Sequence, residues 1–449
     1  YCVRFGSEAG TAANGMSITG CEFSVNKNGL TAASGTYHSA IIVRAAATGT
    51  LAVNESEILG EVVNLSLSSL NATCNWWGSI DPAVIAGKVS GLVNWSPFWT
   101  TAVGPCDGYA PVRNTTIDLP YATIQEAFDD LYALDKPDDL TTYTIEVKEG
   151  TYDEQLLITQ QENKNIVLRA DGDDVFLRRT VIINGQGRHD GEESLTISGF
   201  EFTYDDEGFE GGKDFIVTTD PSAVTNGYAH NVTIDNCSFS GNPADLSFVA
   251  IRNPKAGYDF IISDCQGDHL HSLAQFASAV TGAKIENCTL VDCKSGLNLN
   301  ASTNVEVDGL WFEGPGYGIR AGQSTGTPAD TTLKISNSVL LGTSDCTATD
   351  LGDPDTALVL RGDAPKDIEI SGSVIMNTNS VRSYAIANVN GSNAGIYSLT
   401  ISGNYWGGDY STDLLGGLSS AQVTCSSYYQ SAIYDTAPPQ LSGEVNITP

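Results

Sequence analysis

Val232-Thr-Ile234-Asp-Asn236-Cys237 is followed by Ile262-Ser-Asp264-Cys265 and then by Lys284-Ile285-Glu-Asn287-Cys288. Each phrase alternates apolar and polar residues and closes on a residue suited to a turn. The pattern extends both ways, to Leu195-Thr-Ile197-Ser-Gly199 upstream and to Val305-Glu-Val307-Asp-Gly309, Leu333-Lys-Ile335-Ser-Asn337, Ile368-Glu-Ile370-Ser-Gly372 and Leu399-Thr-Ile401-Ser-Gly403 downstream. The central residues Ile197, Ile234, Ile262, Ile285, Val307, Ile335, Ile370 and Ile401 are 37, 28, 23, 22, 28, 35 and 31 residues apart. Short strands recurring at such intervals mark stacked repeats, each covering the apolar face of the next. A second strand recurs in the same repeats: Phe248-Val-Ala-Ile-Arg252, Gly296-Leu-Asn-Leu299, Tyr317-Gly-Ile-Arg320, Ala357-Leu-Val-Leu-Arg361 and Tyr384-Ala-Ile-Ala387. The expected fold is all-β, a parallel solenoid whose equivalent residues stand about 4.8 Å apart in columns.

One segment breaks the pattern. In Tyr121-Ala-Thr-Ile-Gln-Glu-Ala-Phe-Asp-Asp-Leu-Tyr-Ala-Leu134 the apolar residues Ile124, Ala127, Phe128, Leu131 and Leu134 have helical spacing. Thr123 and Glu126 form a capping box. A strand at Tyr143–Val147, a turn at Glu149-Gly-Thr-Tyr-Asp-Glu154 and a strand at Asn165–Arg169 follow. An amphipathic helix at this place is expected to cover the open end of a solenoid.

The helix, the Gly-Thr-Tyr-x-Glu turn and the repeating strands together resemble the right-handed parallel β-helix proteins of the pectin-lyase-like superfamily. The resemblance runs from residue 118 to about 410 and implies a fold that hosts lyases, hydrolases, esterases and adhesins. Asn75-Trp-Trp-Gly78 recurs as Asn404-Tyr-Trp-Gly407. It resembles a closing motif of secreted β-helix proteins, with aromatic residues covering the last coil. The expected organisation is therefore the end of a first β-helix at 1–106, a linker at 107–117, a second complete β-helix at 118–434 and a Pro-rich extended tail at 435–449. Tyr1 is not an initiator Met, so the chain is expected to be a piece of a longer precursor. The first β-helix lacks an N-terminal cap in this sequence. That end is expected to meet either upstream residues or another copy, and the second case gives head-to-tail assembly.

The 449 residues carry 54 Asp+Glu against 22 Lys+Arg, a net charge of −32. Such a chain supplies no field for nucleic acid or anionic lipid, and weighs against polyanionic pectin or alginate unless calcium bridges the two. No apolar run is long enough to span a bilayer. Ten cysteines without zinc spacing suit disulfides and an oxidising compartment. Proximity pairs Cys2 with Cys21 and Cys74 with Cys106. Cys237, Cys265 and Cys288 fall in one column, which either bridges, with Cys293 as a further partner, or forms a ladder of buried thiols. Eleven Asn-x-Ser/Thr sequons are glycosylation candidates: Asn54, Asn64, Asn71, Asn94, Asn114, Asn231, Asn236, Asn287, Asn300, Asn390 and Asn446. Occupied sequons imply exposure and secretion.

Catalytic signatures are sparse. Glu149–Glu154 resembles the first motif of pectin methylesterases, but their other motifs are missing. The polygalacturonase set lacks its Gly-His-Gly and Arg-Ile-Lys. Phosphate-loop, nucleophile-elbow and dinucleotide patterns are absent. The strongest acid–base or metal cluster is Asp264, Asp268, His269 and His271, with Arg252, Lys294, Arg320 and Arg361 on neighbouring coils. In an extended segment His269 and His271 would share a side, and calcium is the one cofactor that such carboxylates suggest. Exposed Trp311, Phe312 and Tyr317 are expected to stack on sugars if the chain is a carbohydrate-binding or adhesin module. A polysaccharide lyase or hydrolase is the enzyme alternative. The leading expectation is a secreted structural glycoprotein, a subunit of an extracellular filament or surface appendage. A looser resemblance is to the β-helix subunits of algal flagellar hairs (mastigonemes).

Overall fold

The computed structural model describes residues 3–5, 14–24, 39–45, 47–102, 104–185, 192–204, 213–218, 229–253, 257–276, 280–300, 302–322, 329–343, 356–362, 364–378, 385–388, 398–406, 415–416 and 423–429. Cys2, Asn390, Asn446 and the 435–449 tail lie outside them. The chain is mostly strand, arranged in long parallel sheets. It divides into two compact units, Tyr1–Asp135 with Tyr143–Lys148, and Lys136–Thr142 with Glu149–Pro449.

In the second unit, each repeat contributes strands in the same order. A first strand such as Ala229–Asp235 is followed, after a tight turn, by a second such as Ser238–Ser240. A third, such as Val249–Asn253, lies in a separate ten-stranded sheet. The register sets the repeating residues directly opposite one another. Ile197 pairs with Ile234, Ile234 with Ile262, Ile262 with Ile285 and Ile285 with Val307. The column runs on through Ile335 and Ile370 to Ile401. All eight side chains are buried. Alternation then turns Lys284, Glu306 and Lys334 outward, where Glu306 lies 3.8 Å from Lys284 and 3.6 Å from Lys334. The second strands form another inward column, in which Phe202 and Phe239 stack with centroids 4.8 Å apart.

The turn after the first strand has one recurrent conformation. Gly199, Asn236, Asp264, Asn287, Gly309, Asn337, Gly372 and Gly403 all have positive φ, between 48° and 80°. A side chain in this left-handed region costs energy except where it is absent or can bond locally, which selects Gly, Asn and Asp. From Gly199 through Gly372, the backbone N–H donates across to the next repeat, as from Asn236 to Ser263 O at 3.0 Å and from Asn287 to Asp308 O at 2.8 Å. The turn is thus part of the stacking.

The first unit repeats the plan at smaller scale. Val3–Phe5, Ile41–Val43, Val62–Asn64 and Val89–Ser90 form one parallel sheet. Asn14–Thr19, Thr48–Asn54, Leu70–Asn71 and Val93–Asn94 form another. Phe5, Ile41, Val62, Leu70, Trp77 and Trp95 share its core. Helix α1 (Pro82–Ala86) is N-capped by Asp81. Helix α2 (Ile124–Ala133) has the expected capping box: Glu126 N–H donates to Thr123 Oγ1 and Thr123 N–H to Glu126 Oε2, each at 3.2 Å. It buries Ile124, Ala127, Phe128 and Leu131 within the first unit. Glu149–Tyr152, read from the sequence as a turn, instead continues the strand Thr141–Tyr152, with Gly150 at φ 152°.

Candidate functional site

Two surfaces of the second unit carry polar groups in number. The first is a groove of about 940 Å³ along the tight turns of four successive repeats. Asp173, Glu201, Asp235, Asp264 and Asp268 line it, with Arg169 as the one cation among its lining residues. Burial, followed by repulsion from Asp174 and Asp173, raises the pKa of Glu201. Ser263 Oγ donates to Asp235 Oδ1 at 2.6 Å. Of the candidate quartet, Asp264 and Asp268 belong to this groove, and His269 Nδ1 sits 2.9 Å from Asp268 Oδ2.

His271 is elsewhere. His269 has φ 52°, so the segment is not extended and the alternation that would set both rings on one side does not apply. His271 Nδ1 accepts from Gln275 Nε2 at 2.9 Å, among groups of the ten-stranded sheet. Its pKa falls to about 4, through burial first and then through Lys294, Arg320 and Arg252. The quartet is therefore split between two surfaces. Among the described residues, no group of three or more His, Cys, Asp or Glu side chains is placed to hold a metal ion.

The second surface is this part of the ten-stranded sheet, where Arg252, Gln275, Asn298 and Arg320 are register partners in succession. Sequence reading found both arginines. It missed the amides, because only the register sets Gln275 and Asn298 between them.

The expected sugar-stacking aromatics are not available. Trp311 is 2 %, Phe312 0 % and Tyr317 5 % exposed. Phe312 points into the core. Trp311 faces outward but packs with Val339, Leu341 and Val374 in a separate apolar cluster, so both faces of this strand are covered.

The cysteines follow the same stacking logic. Cys237, Cys265 and Cys288 are buried free thiols in the column after the left-handed turn, and Cys293 is a further buried thiol. Burial, with the neighbouring Cys237 and Cys288 thiols, raises the pKa of Cys265 far above its usual value. Cys21 is free and exposed, while Cys74 and Cys106 form a disulfide, as proximity suggested.

Further along, this inward column becomes polar. Leu310 N–H donates to Ser338 Oγ, Ser338 N–H to Ser373 Oγ and Ser373 N–H to Asn404 Oδ1 at 2.8 Å. In the first unit Cys21 N–H donates to Ser56 Oγ, and Ser56 N–H to Asn75 Oδ1 at 3.0 Å. Both Asn-aromatic-Trp-Gly motifs thus begin with the asparagine that receives a serine ladder. Trp77 and Trp406 are buried beside them. The motif does not close the stack: Val93–Asn94 pairs beyond it in the first unit and Val423–Tyr429 in the second.

Among the described residues, no helix is long and apolar enough to cross a membrane. No family model, curated protein or solved structure matches the chain.

Proposed function

We propose that this chain forms right-handed parallel β-helices and serves as a secreted structural glycoprotein, a subunit of an extracellular filament or surface appendage. The observation that carries this reading is the fate of its chemically competent side chains. Thiols, serines and asparagines are spent on inter-repeat ladders, and the four candidate catalytic groups are divided between two surfaces. A scaffold needs such ladders, whereas a catalyst needs its groups converging on one reacting atom. The resemblance of the repeats to β-helix proteins, and the looser one to flagellar-hair subunits, support the same reading. Assembly would use strand edges at the ends of the stack, since unpaired edges template further pairing. Negative-stain electron microscopy of the purified full-length protein tests this. Linear polymers or end-to-end pairs are expected, and particles that stay single at every concentration overturn the assembly role.

A further inference from the structure

Helix α2 sets Glu126, Asp129, Asp130 and Ala133 on one stripe, at the helical spacings i, i+3, i+4 and i+7. The stripe lies opposite the buried residues Ile124, Ala127, Phe128 and Leu131, and it forms one wall of a pocket of about 380 Å³. The facing surface is largely apolar. Val89 and Val93, from the strands Val89–Ser90 and Val93–Asn94, line it together with Trp95 and Pro120. All of these residues belong to the first unit.

The three carboxylates are placed against their local electrostatics. Like charges three and four residues apart on a helix repel, as Glu126 does with Asp129 and Asp130. Asp130 stands in the last turn, where the helix dipole is negative and no basic residue is present. Each carboxylate has hydrogen-bond donors on one oxygen. The Tyr121 hydroxyl donates to Asp130 Oδ2 at 2.6 Å and Gln125 Nε2 to Asp129 Oδ1 at 2.8 Å. The N–H groups of Ala122 and Thr123 donate to Glu126 Oε2 at 3.2 Å each. None of the three forms an ion pair with a described residue, and the other oxygen of each receives no hydrogen bond from one. Acidity alone would mean little in a chain with a net charge of −32. What sets this stripe apart is that it meets an apolar wall across a pocket.

We propose that this pocket binds a small organic ammonium ion, with its charged group against Glu126, Asp129 and Asp130 and its hydrocarbon body against Val89, Val93 and Pro120. The volume falls at the lower end of the range of ~300–1,000 Å³ in which small molecules are held. A primary ammonium carries three N–H donors and no acceptor, which matches the three unbonded carboxylate oxygens. Its charge offsets both the repulsion along the stripe and the unfavourable position of Asp130. An inorganic cation would answer the carboxylates but leave the apolar wall in water, and a neutral apolar molecule would leave the repulsion in place. The site lies wholly within one unit and stands whether or not copies of the chain assemble.

Calorimetric titration of the full-length protein with phenylbutylammonium tests the proposal, with phenylbutanol and phenylbutyrate as the same body in neutral and anionic form. Saturable binding of the ammonium is expected, with a rise in melting temperature, weaker binding of the alcohol and none of the carboxylate. Asp129→Asn with Asp130→Asn keeps acceptors for Gln125 and Tyr121 but removes two charges. Affinity should fall about threefold per charge, about tenfold in all, while the ligand-free variant melts no lower than the wild type because repulsion is relieved. Ala133→Phe, at an exposed position of the stripe, narrows the pocket and should abolish binding. No binding by the wild type, equal affinity for phenylbutanol, or unchanged affinity in either variant would each overturn the proposal. So would a ligand-free double variant that melts well below the wild type, since the carboxylates would then serve the fold. Circular dichroism establishes that Ala133→Phe is folded.

Discussion

Replacing Asn75 by alanine isolates the contribution of one ladder terminus. Asn75 is fully buried. Its Oδ1 accepts from Ser56 N–H at 3.0 Å, and its Nδ2 donates to Val53 O and Ala72 O at 2.6 Å each. Asn75→Ala removes all three bonds and strands the Ser56 N–H in a site where Ser56 itself is 1 % exposed. An orphaned buried donor costs about 1–3 kcal/mol, and two carbonyls deprived of one bond each add about 1 kcal/mol together, for a total of about 2–4 kcal/mol. For a unit of this size that corresponds to a fall in melting temperature on the order of 10 °C. Asn75→Asp keeps the acceptor but aims a buried carboxylate oxygen at two carbonyls, so it is expected to be at least as damaging. Thermal and urea unfolding followed by circular dichroism give the magnitude, and hydrogen exchange at the Ser56 amide locates it. A loss below about 1 kcal/mol, with Ser56 still protected, would refute the claim that Asn75 terminates the ladder.

Three further outcomes are expected. The His271 C2–H resonance should titrate near pH 4, and Lys294→Glu should move it upward; because the folded pKa lies below the unfolded one, this group's stabilising effect is present above pH 6.5 and lost as pH falls through about 4. Titration at the ordinary histidine pH in the wild type would contradict the burial of this ring beside Lys294, Arg320 and Arg252. Cys293 and Tyr152 are each pushed up to about 12, and Cys265 and Tyr121 also shift upward; urea midpoints should therefore hold below pH 9 and decline as pH rises toward 12, while an alkylating reagent labels Cys21 but spares Cys237, Cys265, Cys288 and Cys293. Native-state labelling of the column at the rate of Cys21 would count against the thiol ladder. In a eukaryotic secretory host, glycosidase-dependent peptide mapping should find glycans on the exposed Asn71, Asn236 and Asn287 but none on Asn64 or Asn114, which are buried, Asn64 with its Nδ2 donating to Ser68 O and Leu92 O; a glycan on either in folded protein would be the contrary result.

The repeat was legible because the inward positions of its first strand are apolar throughout and its turn column is restricted to Gly, Asn and Asp. The helix from Ile124 was legible because its apolar spacing and capping box are local signals. What failed was inference across one residue of unknown φ. His269 and His271 share a side only in extended backbone, and the left-handed turn at His269 parts them. Trp311 was misread because alternation predicts which face a residue occupies, but not whether that face is covered, as it is here by Val339 and Val374. Gln275 and Asn298 are unremarkable in the sequence, and acquire meaning only when the register inserts them between Arg252 and Arg320. The Cys237–Cys265–Cys288 column was visible, but a pairing spacing alone does not separate bridges from stacked thiols.

Cysteine pairs on the exposed column Lys284, Glu306 and Lys334 test the stacking most directly. Lys284 pairs in register with Glu306, and Glu306 with Lys334. Lys284→Cys/Glu306→Cys and Glu306→Cys/Lys334→Cys should each oxidise to an intrachain disulfide, their positions being one strand spacing apart. Lys284→Cys/Lys334→Cys, at two spacings of about 9.6 Å in all, should not. Efficient bridging of the outer pair, or of neither adjacent pair, would contradict the parallel, in-register stack on which every other conclusion rests.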